Sequence, residues 1–425
     1  MIDEKFLAFV WEKRLLGAAV VTTGGENVKV ISTGISNNGQ GPDFLEAQLM
    51  IGNTLWYGNV EIHVKSSDWF VHCHNIDSNY SNVICHVVWK YDADIYHGQG
   101  DMIPTIDLSK LIPPFLIEEF KNLMQSVDYI PCASQLNDVP EYVKYDMLQF
   151  AYFESLEKKF DVNVKNLKEL VYDFDELCYR TLVRSFGFGI NNDAFLETSK
   201  NLPFNFVLKY ATRDDALDAL FFGQGNLLGD KLVDDYPKYL LKEYNYYAKI
   251  HDFKPQKNVP WKLLRLRPAN FPCIRLAQCA TVFKKGFHGL DTVLLTRNID
   301  DYYKMFCNPI DKYWNNHVRF DKPATEQNRI IGSKSVDLIL INTVIPLLFF
   351  YGKYRNIDVF SSEAIEMIEQ ISPEDNVITR SMEKFGFSAK NALHSQALLY
   401  LKKHYCDKKQ CLKCKIGAKI LKKQL

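Results

Sequence analysis

Charge imbalance is the first thing missing from this chain of 425 residues, in which Lys plus Arg equals Asp plus Glu at 51 each. No global field advertises a polyanionic partner, so any contact with nucleic acid has to come from a local patch. An export signal is missing too: Met1-Ile2-Asp3-Glu4-Lys5 is not a basic segment leading into an apolar one. No apolar run reaches the roughly 18 residues that span a bilayer. The nearest, Val336 to Tyr351, is broken by Asp337, Asn342 and Pro346 and reads as a buried, kinked helix. These absences predict a cytoplasmic protein with no membrane partner. Fixed-period repeats, low-complexity tracts, a Gly-x-Ser-x-Gly elbow, a His-Glu-x-x-His pair, a Walker loop and a dinucleotide fingerprint are absent as well. That turns attention away from serine hydrolases, zincins and nicotinamide enzymes.

Aromatic residues, by contrast, are plentiful at 13%, enough for large cores, and the length suits about two or three domains. Residues 3 to 16 carry an apolar helical stripe. Lys29 to Thr33, Ala47 to Ile51, Leu55 to Val64, Val83 to Trp89 and Met102 to Ile106 read as strands. Turn signals separate them at Asn37-Asn38-Gly39, Gly52-Asn53 and Tyr57-Gly58-Asn59, the second closing a hairpin. From Glu141 onward nearly every segment has helical spacing, including Tyr142 to Lys159, Leu167 to Phe186, Asp214 to Phe222, Asn270 to Lys284 and Ala389 to His404. The expected class is α+β: an N-terminal helix with an antiparallel or mixed sheet over 1–135, a mostly α-helical domain over 136–400, and a lysine-rich tail over 401–425.

Between Gly41 and Asp94 stand seven acids against two lysines and no arginine, together with four of the ten histidines, His63, His72, His74 and His86. On a strand, Glu61, His63 and Lys65 share one face while Ile62 and Val64 point into a core. Ser67 to His74 alternates in the same way, which predicts His72 and His74 on one face. Carboxylates with imidazoles are a ligand set for Mn²⁺, Zn²⁺ or Fe²⁺ more than for Ca²⁺. With Asp68 or Asp77, His72 and His74 are candidates for a second metal position. His86, alone in the apolar run Val83 to Trp89, reads as a hydrogen-bonded core residue.

Gly41-Pro42-Asp43-Phe44 followed by Glu61-Ile62-His63-Val64-Lys65 resembles the split carboxylate motif of the PD-(D/E)XK nuclease superfamily. That resemblance implies a helix, a three-stranded antiparallel meander, a second helix and a further strand. It makes Asp43 and Glu61 ligands of Mg²⁺ or Mn²⁺, with His63 or Lys65 steadying the attacking water or the phosphate. The family's lysine belongs two residues after the glutamate, where this chain has His63. Lys65 lies one strand repeat further, about 7 Å away. The implied function is metal-dependent phosphodiester hydrolysis on DNA or RNA. A non-hydrolytic metal site and a purely structural polar cluster remain open beside it.

At the far end, His404, Cys406, Cys411 and Cys414 lie within eleven residues. Cys-x2-Cys fits tetrahedral zinc, and an iron-sulfur cluster with a remote ligand is the alternative. Nine lysines against one acid between Lys402 and Leu425 form a basic patch able to meet nucleic-acid phosphates. The arginines of Trp261 to Gln278 are expected to tie helix ends to loops. Over nearly its whole length the chain resembles a bacterial family defined as a domain of unknown function. The motifs carrying that resemblance are Gly41-Pro42-Asp43-Phe44, Val60-Glu61-Ile62-His63, Ser67-Asp68-Trp69, Arg267-Pro268-Ala269-Asn270-Phe271-Pro272, Ser395-Gln396-Ala397-Leu398-Leu399 and the terminal cysteines. That family implies no activity, so the competing function is a non-enzymatic protein- or nucleic-acid-binding protein with a structural zinc site.

Overall fold

The computed structural model describes residues 2–16, 19–37, 39–97, 100–213, 215–229, 231–254 and 259–423. Asn38 and Asp214, named above in a turn and at a helix start, lie outside the described residues. The chain divides into two compact units. One comprises Met1–Ala151, Asn376–Ser388 and Leu398–Leu425, and the other Tyr152–Asp375 and Ala389–Ala397. The α+β class holds: a helix and a mixed sheet come first and a mostly helical region follows.

In the first unit, helix α1 (Glu4–Glu12) is capped by Asp3, whose side chain accepts from the Phe6 N–H. It buries Phe6, Leu7, Phe9, Val10 and Trp11. The strands are β1 (Val20–Val21), β2 (Asn27–Ser32), β3 (Ile35–Ser36), β4 (Phe44–Ile51), β5 (Thr54–Lys65), β6 (Val83–Lys90) and β7 (Thr105–Asp107). They form one sheet in the order β1-β2-β4-β5-β6-β7, with β3 beside β4. The pairings β2/β4 and β4/β5 are antiparallel, and β5/β6 and β6/β7 are parallel. Ile51 opposite Thr54 leaves Gly52 and Asn53 as a two-residue hairpin turn, and Gly52 at φ +58° takes the positive angle such a turn requires at its first position.

Tyr57-Gly58-Asn59 is not a turn. Gly58 lies inside β5, where a Cβ would come within 2.4 Å of Ile84 Cγ2 and 2.7 Å of the Asn82 carbonyl oxygen. The glycine marks a close approach between strands, the other reason for glycine in a sheet. Ser67 to His74 is not a strand either. Asp68–Val71 forms a single helical turn, α2, which ends as Cys73 takes a left-handed φ of +60°.

The second unit is mostly helical, with a small antiparallel pair of strands at His317–Arg319 and Lys322–Pro323. Its Ser333–Arg355 helix is long and apolar enough to cross a bilayer, but most of it is buried within the protein. Pro346 has no N–H to give to Asn342. The turn before it, Leu340–Val344, is wound as a π-helix that absorbs the missing bond. Arg275 ties its helix to neighbouring segments through Asn270, Gln278 and Ser335, with its guanidinium 4.0 Å from the Phe188 ring centroid.

Candidate metal centre

A bulge in β4 decides which face Asp43 joins. Ala47 lies opposite Gly58, but Phe44 lies opposite Val60, so the pairing slips by one residue between them. Glu46, at φ +58°, takes up the extra length. Extending the Phe44 pairing sets Asp43 opposite Glu61; without the slip it would face Ile62, on the other side of the sheet. The two acids then brace each other's strands. Asp43 N–H donates to Glu61 Oε2 at 3.0 Å, and Ile62 N–H donates to Asp43 Oδ2 at 3.0 Å.

Histidines arrive from two further directions. β6 runs parallel to β5 with His86 beside Glu61, which puts the imidazole on the Glu61/His63 face. His63 Nδ1 meets His86 Nε2 at 2.8 Å. The loop after α2 folds back through bonds from His72 N–H to the Asp68 carbonyl and from His74 N–H to the Trp69 carbonyl. It is held by buried Trp69 and by Tyr80, whose ring stacks 3.7 Å from that of His74. His63 Nε2 lies 3.1 Å from His72 Nδ1, and Glu61 Oε1 lies 3.5 Å from His63 Nε2 and 3.3 Å from His74 Nε2. That last approach is not aligned as a hydrogen bond, and His74 Nε2 is buried without one. One potential ligand atom from each of His63, His72 and His74 falls within a 4.8 Å span. Neighbouring ligands about 2.0 Å from a tetrahedral zinc are about 3.3 Å apart, close to the His63–His72 spacing.

Burial makes both kinds of group resist charge. The Glu61 carboxyl is pushed up to about 9, first by burial and then by Asp43 and Glu4. Asp43 and Glu4 are also raised, each chiefly by burial. The imidazoles move the other way: burial, with His74 and His72, takes His63 down to about 3, and His74 and His86 are lowered chiefly by burial. Neutral imidazole is the ligating form. A divalent cation would reverse the penalty on the carboxylates and release their protons. His72 and Glu4 are exposed and Asp43 half-buried, whereas Glu61 and His63 form a buried floor. The cluster is therefore accessible from the Glu4/His72 side.

Asp43, Glu61, His63, His72 and His74 thus gather in one place. Lys65 does not join them: its side chain is exposed and its charge acts on Asp92. His72 and His74 belong to the Glu61 site and not to a second one, since Asp68 accepts from Lys65 N–H and Asp77 caps the short helix Ser78–Tyr80. Sequence spacing could not reveal Glu4, which arrives from α1, nor His86, whose apolar flanks disguised it.

At the C-terminal end, the His404 ring stacks on Tyr400 with centroids 4.3 Å apart. Cys406, Cys411 and Cys414 act electrostatically on one another and also on Cys132. All ten cysteines are unpaired. In the second unit a cavity of about 1010 Å³ is lined by Lys158, Lys159, Arg180, Arg184 and Lys200 among other residues, and burial takes the Lys159 amine down to about 8.

Fold and cluster together define an α+β protein with a carboxylate-histidine centre suited to a divalent ion. The chain belongs to the family described as protein of unknown function (DUF2851), which matches residues 4–377. No curated protein and no solved structure matches it.

Proposed function

We propose that the first unit is a divalent-metal-dependent phosphodiesterase acting on DNA or RNA. The observation that carries this is the meeting of three imidazoles with the Glu61 carboxylate, their nearest atoms 3.1 to 3.5 Å apart. His63, His72, His74 and Glu61 would hold the ion. Imidazole-rich ligation favours Mn²⁺, Zn²⁺ or Fe²⁺ over Mg²⁺. The ion would supply a water of lowered pKa and neutralise charge on the scissile phosphate.

With His86 Nε2 as acceptor, the His63 proton would sit on Nδ1 and leave His63 Nε2 to ligate the ion. Asp43 and Glu4, on the open side, can accept the proton that the water gives up. Further support comes from the element order, a helix, the antiparallel strands β2, β4 and β5, a crossover and the parallel strand β6. That order resembles the PD-(D/E)XK pattern, with Asp43 just before β4 and Glu61 on β5, although only the four-residue α2 and the turn Ser78–Tyr80 stand where that pattern has its second helix. A cytoplasmic location accords with ten unpaired thiols in one chain.

A second, non-enzymatic function has its own support. Asp43 and Glu61 each accept a backbone N–H, and Lys65 points away from the cluster, so the acids can serve to brace the sheet around a structural ion. Cleavage of plasmid DNA or RNA with Mn²⁺ separates the two. Hydrolysis should require the metal, vanish in Asp43→Ala and Glu61→Ala proteins that stay folded, and fall by about 10 to 100-fold in His86→Ala. Cutting that persists unchanged in both carboxylate variants would assign it to a contaminant and sink the enzymatic function.

A further inference from the structure

The C-terminal cysteines lie within electrostatic reach of a fourth thiol, Cys132, from far up the chain. Helix α3 (Pro114–Gln125) ends near Cys132 and packs against the C-terminal helix Lys415–Leu421. Two contacts draw the tail onto this stretch: Lys409 Nζ donates to the Met124 carbonyl at 2.6 Å, and the Lys402 ammonium lies 4.3 Å from the Tyr129 ring centroid. A third reaches the next helix, where Lys415 N–H points at Met147 Sδ at 3.4 Å.

Within the tail, the chain is wound to present sulfur. Lys409 turns through a left-handed φ of +49° just after Cys406. Cys414 N–H bonds to the Cys411 carbonyl across the Cys-x2-Cys turn at 3.2 Å. Burial raises the Cys414 thiol, and the backbone N–H groups of Gly417 and Ile416, which donate to its sulfur, offset part of that rise. Gly417 has to be glycine, because a Cβ there would sit 2.2 Å from the Cys411 carbonyl oxygen. Cys411 and Cys414 are buried, and Cys132 and Cys406 are partly so.

We propose that Cys132, Cys406, Cys411 and Cys414 form a four-thiolate metal centre, with Cys132 and not His404 as the fourth ligand. Its occupant is a thiophilic metal, a zinc ion or an iron-sulfur cluster. Both take four cysteines, and Cys-x4-Cys-x2-Cys with one remote cysteine is a recurrent cluster spacing. Metal binding would draw the four sulfurs together around one centre. Four thiols that act on one another would lose protons together when metal binds. The centre would fasten the tail to the loop after α3, a role independent of the proposed hydrolysis.

The full-length chain, purified without oxygen, should carry either iron with acid-labile sulfide or one zinc exchangeable for Co²⁺. The Co²⁺ form should show sulfur-to-metal charge-transfer absorption. Because that absorption needs thiolate, an ion at the histidine cluster adds nothing to it. His404→Ala should keep the full spectrum, and Cys132→Ser should lose the cluster or roughly a quarter of the cobalt-thiolate intensity. If Cys132→Ser does not fold, Cys132→His keeps a ligand and should hold metal with a shifted spectrum. An unaltered spectrum in Cys132→Ser or Cys132→His would overturn the assignment. So would a folded wild-type protein whose four thiols all react freely and which carries no sulfur-bound metal.

Discussion

Glu61 carries the clearest consequence for a single side chain. Its folded carboxyl titrates near 9 against an ordinary 4.5, so between those values the metal-free folded state holds a proton that the unfolded chain has lost. Stability must therefore fall as pH rises through that window. His63, lowered from 6.5 to about 3, acts oppositely and costs stability as pH drops below 6.5. Above 6.5 it is neutral in both states, so within this cluster the carboxylates set the trend. Glu61→Gln should raise the melting temperature of the metal-free protein at pH 8 by a few degrees, for ~1 kcal/mol or more. It should also flatten the fall in melting temperature between pH 6.5 and 9, and abolish stabilisation by added Mn²⁺. A wild-type profile that stays flat under EDTA would show that Glu61 is ionised without metal. Asp43 and Glu61 were legible from the hairpin that pairs their segments, His63 from strand alternation beside Glu61, and His72 and His74 from their short spacing. Glu4, His86 and Cys132 were not, because each reaches its partners through pairing or packing across long stretches of chain.

The β4 bulge carries an element-scale consequence. A single extra residue sets Asp43 beside Glu61, and Glu46 bears the left-handed angle that makes room for it. Glu46→Gly should be tolerated or slightly stabilising, since glycine adopts that angle freely. Glu46→Val should destabilise the protein by ~1–2 kcal/mol, because a β-branched residue resists positive φ. Chemical denaturation of the two variants checks the order, and equal stability would mean that Glu46 does not carry the bulge. The hairpin at Gly52-Asn53 was legible from turn chemistry alone. Gly58 was misread because glycine signals both a turn and a close approach, and only the neighbouring strand, with Ile84 and Asn82, distinguishes them. His72 and His74 were rightly grouped for the wrong reason: the local alternation suggested a strand, but the helical turn of α2 and the reversal at Cys73 bring them together.

At the scale of the molecule, the α+β class followed from where strand periodicity gives way to helical periodicity. The grouping of distant segments did not, since local pattern says nothing about the tail packing on α3. Ile416, Ile420 and Leu421 bury their side chains there, worth roughly 5 kcal/mol together. Removing residues 398–425 should speed amide exchange in α3 and lower the first unit's melting temperature, while Tyr152–Asp375 keeps its helical signal. Hydrogen exchange read by mass spectrometry checks this, and unchanged α3 protection would show that the tail is dispensable. A unit assembled from both early and late stretches of one polypeptide also has a schedule imposed on it during translation. Its sheet can form while the ribosome is still working, but α3 must wait, with its apolar flank uncovered, until some 290 more residues have been made. At roughly 5 to 20 residues per second, that is tens of seconds in which a chaperone has reason to bind there.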